Sequence, residues 1–142
     1  MAAVPDTSAI DRPIPVRQID AITTLSVLRS AVGVLSWVSP ALAGRTFALG
    51  SLGDDPRAAL LSRLFGAREL ALGLAVKHPS AEVQRDALRA GVVIDSIDLV
   101  ASLIALRKGA SRATLLTVTA GAALFIGLGV AGLADPQRTP AG

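Results

Sequence analysis

Four stretches of the chain are apolar over a full helical length, and short polar segments separate them. The cleanest runs from Ala113 to Ala134, about 22 residues without an ionisable side chain, where a helix crossing a bilayer needs roughly 20. Three others, at about 20–41, 59–77 and 86–106, are of similar length and carry a few charges inside otherwise apolar sequence. A soluble amphipathic helix would instead show charge along one entire face. The pattern predicts an all-α fold: an integral membrane antiparallel four-helix bundle built as one domain over residues 20–134. Residues 1–19, with Pro5, Pro13 and Pro15 among mixed charges, read as a disordered or surface-lying tail, and 135–142 as a C-terminal tail.

The polar segments have the chemistry of helix ends. Gly53-Asp54-Asp55-Pro56 supplies a turn, an N-capping aspartate and a proline at the first helical position, where its missing N–H costs nothing. His78-Pro79-Ser80 closes the second helix and opens the third, with Glu82 placed well against the helix dipole. Lys108-Gly109-Ala110-Ser111 ends the third helix and caps the fourth. These two connections are short, so the helices that they join should be antiparallel neighbours. The first connection, about Leu42 to Ala58, is longer and leaves room for an interfacial turn around Phe47.

Composition agrees with this picture. The chain is 51% hydrophobic and 18% charged, against roughly a quarter charged in soluble proteins. This points to a multi-pass protein of a bacterial cell membrane, with membrane lipids as its surroundings. The absence of cysteine excludes disulfides and thiolate metal sites, and the lone His78 excludes a histidine-rich one. No cofactor and no metal are expected. A net charge of +3, dispersed and with 3% aromatic residues, argues against nucleic acid as a partner.

Five charges remain inside the predicted spans: Arg29 in the first, Arg68 and Glu69 in the second, Asp95 and Asp98 in the third. The span midpoints fall near residues 30, 68 and 96, which places all five in one slab at the bilayer centre. An isolated charge there costs at least about 2.5–3.5 kcal/mol, so the five must face inward and neutralise one another. Helical spacing allows it. Gly91, Asp95, Asp98 and Ser102 share a face, as do Gly66, Glu69 and Gly73, and as do Arg29, Gly33, Ser36 and Pro40. Gly66, Gly73 and Gly91 are expected to let neighbouring helices approach closely. Two cations against three anions leave one formal negative charge, unless a carboxylate is protonated or Arg63 reaches in.

Such a layer fits a structural clamp linking the first three spans, in a non-enzymatic protein acting through lipids or a membrane protein partner. It also fits an acid/base enzyme on a lipophilic substrate, with Glu69, Asp95 or Asp98 as general acid, or a proton or ion conduit. A cavity bordered by the carboxylates favours the enzyme. A conduit needs a polar path to both surfaces.

Gly127-Leu128-Gly129-Val130-Ala131-Gly132 matches a dinucleotide-binding pattern but lies inside the cleanest span, where no strand-to-helix turn exists. Close helix packing through Ala123, Gly127 and Ala131 explains it better, and the same stripe makes a homodimer through the fourth span plausible. Trp37 reads as an interfacial anchor and His78 as a helix-terminal surface residue.

With these residues in view, the stretch Arg63-Leu64-Phe65-Gly66-Ala67-Arg68-Glu69-Leu70-Ala71-Leu72-Gly73, together with Arg29, Gly33, Pro40, Asp95 and Asp98, resembles a bacterial family of short four-span integral membrane proteins known as a domain of unknown function. The resemblance covers about Ile22 to Ala134. It implies a four-helix membrane architecture that includes these polar residues, and brings no activity, substrate or cofactor.

Overall fold

The computed structural model describes residues 20–134. The two expected tails, 1–19 and 135–142, lie outside the described residues. These residues form five helices and no strand: α1 (Ala21–Val38), α2 (Pro40–Thr46), α3 (Pro56–Ala75), α4 (Ala81–Arg107) and α5 (Arg112–Leu133).

Side-chain caps open every helix. The Asp20 carboxylate accepts from the Ile22 N–H and the Asp55 carboxylate from the Arg57 N–H, while Ser80 and Ser111 hydroxyls accept from Val83 and Thr114 N–H groups. One boundary departs from the hydropathy pattern. Ala41-Leu42-Ala43 prolongs the apolar run, yet α1 ends at Val38, because Ser39 leaves helical geometry (φ −136°, ψ 82°) and Pro40 opens a new helix. Ser39 caps that helix through the Leu42 N–H, so the expected loop contains α2.

The four long helices form a closed circuit, in which α1 packs against α3 and α5, and α4 against α5 and, more sparsely, α3. Neighbours run antiparallel. The Ser26 hydroxyl donates to the Gly73 carbonyl at 2.6 Å, and ten residues further along α1 the Ser36 carbonyl accepts from Ser62 at 3.0 Å. Between these two bonds the backbones nearly touch. A Cβ on Gly66 would stand 2.7 Å from the Gly33 carbonyl oxygen, so side chains are excluded there.

The two halves of this arrangement differ. Toward the start of α1 and the end of α5, Ile22, Leu25, Val76, Leu88 and Phe125 form a dry core, with Leu28, Leu128 and Leu133 packed around it. Gln84 closes this end by donating to the Val76 carbonyl. The opposite half is roofed by α2 and the segment after it. There Thr114 and Thr117 of α5 donate to the Ala48 and Phe47 carbonyls, and Ala48 takes a left-handed φ of 55°.

By length and apolar content, two helices can cross a membrane: α1 and α5. Of the four spans expected above, the first and last meet that measure of length and apolar content. Arg63, Arg68 and Glu69 within α3, and Arg89, Asp95 and Asp98 within α4, dilute the other two. Membrane-like character in α3 and α4 therefore depends on where those charges point.

Candidate functional site

The five central charges converge into one chain of alternating sign: Asp95, Arg29, Glu69, Arg68, Asp98. Arg29 is the hub. It enters from the middle of α1, donates through Nη1 to Glu69 Oε2 at 2.6 Å and through Nη2 to Asp95 Oδ2, and is only 1% exposed. Gly91 makes room for it, since a Cβ there would meet Nη2 at 3.0 Å. The Phe125 ring of α5 covers the guanidinium, with Cζ 4.6 Å from the ring centroid. Arg29 Nε has no hydrogen-bond partner among the described residues.

Arg68 continues the chain. Its Nε and Nη2 donate to Glu69 Oε1 at 3.2 and 3.1 Å, while Nη1 and Nη2 donate to Asp98 Oδ1 and Oδ2 at 3.3 and 2.7 Å. The bond to Asp98 is bidentate, the geometry that makes an arginine–carboxylate pair strong. Phe65 lies under this guanidinium at 4.7 Å. Spacing alone turns Arg68 about 100° away from Glu69, but a long side chain curls back to its neighbour while reaching α4.

The network has a dry end and an open one. Glu69 and Asp95 are buried with Arg29, whereas the Arg68 and Asp98 side chains are 32% and 31% exposed. Arg63 is exposed and makes no ion pair among the described residues. Two guanidinium groups against three carboxylates leave a formal charge of −1.

Beside the open end lies a cavity of about 530 Å3. Arg68, Glu69, Asp95, Asp98 and Phe125 form its floor, apolar side chains such as Val32, Ala101 and Val118 its walls, and Phe47, Leu49 and Leu52 its roof. Its exposed lining residues are Leu61 and Phe65 of α3 and Ala101 of α4, on the side where those two helices meet sparsely, with Leu49 and Thr117 toward the roof. Below the floor the apolar core fills the bundle axis.

Other singled-out residues fall elsewhere. Gly66 and Gly73 lie where α1 approaches α3, and Gly91 beside Arg29. Ala123, Gly127 and Ala131 do not pack inside the chain: they are exposed, and a Cβ on Gly127 would meet nothing within 4 Å. The buried face of α5 carries Ala122, Phe125, Gly129 and Gly132 instead. His78 sits in the α3–α4 connection, its Nδ1 accepting from the Ser80 N–H. Among the described residues no group of three or more His, Cys, Asp or Glu could hold a metal ion. Sequence reasoning missed Phe125. Its signal was a lone aromatic ring near the middle of a span, level with the charged layer.

No protein-family model matches the chain, and searches of curated proteins and of solved structures return no match either.

Proposed function

We propose that this is an integral membrane protein crossing the bilayer four times, through α1, α3, α4 and α5. Its charge network fixes the order and register of the spans, and it acts through lipids or partner proteins in a bacterial cell membrane. One observation carries this reading: the polarity of the molecule is inverted. Arg29, Glu69 and Asp95 are buried, while Leu60, Leu61, Leu64 and Leu74 of α3 and Val93, Ile97, Val100 and Leu103 of α4 are exposed. A soluble protein pays for buried charge and for exposed apolar faces alike. In a bilayer the outer faces become the favourable ones and the paired charges are sheltered from lipid.

The sealed core beneath the network gives the conduit reading no polar path to the second surface. The cavity at the carboxylates keeps an acid/base role on a lipophilic substrate as the second reading. The outward stripe on α5 supports a homodimer through that helix; native mass spectrometry of the purified protein gives the subunit count and any retained lipid.

Topology is tested with single cysteines, because the natural chain has none. Leu64→Cys and Ile97→Cys, midway along the two less apolar helices, should resist a charged maleimide in intact vesicles and react after SDS denaturation. His78→Cys and Ala110→Cys should react from opposite sides of the membrane. Reaction of Leu64→Cys and Ile97→Cys in intact vesicles at the rate of His78→Cys would sink the four-span reading.

A further inference from the structure

We propose that the cavity beside the charge network binds one lipophilic cation, with its apolar body between α3, α4 and α5 and its positive group at Asp98. The proposal rests on the four-span reading, which puts the mouth between α3 and α4 in contact with lipid. At about 530 Å3 the cavity falls in the range of small-molecule pockets.

What such a pocket selects depends on the polar groups left unspent along its surface. Four of the wall hydroxyls are already engaged as donors, Ser62 to the Ser36 carbonyl, Ser102 to the Asp98 carbonyl, Thr114 to the Ala48 carbonyl and Thr117 to the Phe47 carbonyl, and the Ser36 hydroxyl is neutral. Arg68 commits four of its five N–H groups to Glu69 and Asp98. Asp98 differs. Each of its oxygens accepts one N–H from Arg68, and a carboxylate offers about four acceptor positions. It is therefore a half-exposed anion with acceptor capacity to spare, at the inner end of an apolar hollow.

Charge decides the class of ligand. With its three carboxylates ionised the network carries one negative charge in excess, in a medium where an unbalanced charge is costly. An anionic headgroup would double that excess, a neutral molecule would leave it, and a monocation cancels it. The packed core closes the far end, and on the four-span reading the exposed α3–α4 side, at Leu61, Phe65 and Ala101, gives a lipophilic ligand its way in from the bilayer.

The test uses the full chain in phosphatidylcholine nanodiscs and equilibrium dialysis of tetraphenylphosphonium, with tetraphenylborate as its anionic counterpart of like shape. The expected result is saturable binding of one tetraphenylphosphonium per chain above protein-free discs, with tetraphenylborate at least tenfold weaker. Asp98→Asn should weaken binding at least tenfold. Gly121→Leu should do the same without touching a charge, because Gly121 lines the cavity and its Cβ position meets no atom within 4 Å. Binding no greater than in protein-free discs, equal binding of both ions, or full affinity in both variants would overturn the proposal. A chain that inserts with its helices intact and fails to bind overturns this inference alone; a chain that does not insert overturns the four-span reading with it.

Discussion

Arg29→Met is the sharpest test of the charge network, because it removes a cation while keeping an unbranched side chain of similar reach. The loss does not fall evenly on the two carboxylates. Glu69 keeps two N–H contacts from Arg68, whereas Asp95 has no other ion-pair partner among the described residues. A buried carboxylate stripped of its partner destabilises by about 3–5 kcal/mol. Loss of the guanidinium from the Phe125 face adds about 1 kcal/mol, giving about 4–6 kcal/mol in all, a large share of the stability of a domain this size. Adding Asp95→Leu removes the orphaned charge, so the double variant should recover part of the loss, with a coupling energy of about 1–3 kcal/mol. Unfolding by SDS in mixed micelles, followed by helical circular dichroism and by the fluorescence of Trp37, the only tryptophan, measures all three variants. A single variant within about 1 kcal/mol of the parent, or a double variant no more stable than the single, would refute the idea that Arg29 holds Asp95 in place.

The same titration checks the remaining expectations. Arg68→Gln should cost about 1–2 kcal/mol, less than Arg29→Met, because its pair with Asp98 is half-exposed. Gly66→Ala should destabilise by about 1–3 kcal/mol, since the new Cβ meets α1 backbone, while Gly127→Ala stabilises by up to about 1 kcal/mol, having open space and better helix propensity. Ala48→Gly should gain about 1 kcal/mol by relieving the left-handed backbone, and Ala48→Val should lose at least as much. Thr114→Val releases the Ala48 carbonyl and should raise amide hydrogen exchange in residues 47–52 ahead of the rest of the chain.

Charges and caps were the legible part of this sequence. A charge inside an apolar span has few places to go, so the stripes holding Arg29, Glu69 and Asp95 defined the inward faces, and the structure brings those side chains together. The Ser–Pro and Asp–Pro pairs obey one capping rule, yet only Asp55-Pro56 stood out. At Ser39-Pro40 the apolar residues that follow conceal the break, because hydropathy measures solvent preference and not backbone geometry. On α5 small residues line two faces and no charge separates them. Which face packs was decided by the fit of Phe125 over Arg29 and of Gly129 and Gly132 against α4 and α1, contacts distant in sequence. The cavity was hidden for the same reason: a hollow is set by how far α3 and α4 stand apart, which no periodicity records.

The position of Arg29 along the chain imposes an order on biosynthesis. Its two counter-ions lie 40 and 66 residues downstream. At about 5–20 residues per second, Glu69 is synthesised roughly 2–8 s after Arg29, and Asp95 some seconds later still. During that interval a membrane-centred Arg29 would be unaccompanied, at a cost of at least about 2.5 kcal/mol. Four-span insertion then has α1 waiting at the membrane interface until α3 arrives and the two entering together as a hairpin. A nascent chain stalled before Glu69 should leave α1 extractable by carbonate, and one stalled after α3 has emerged should not.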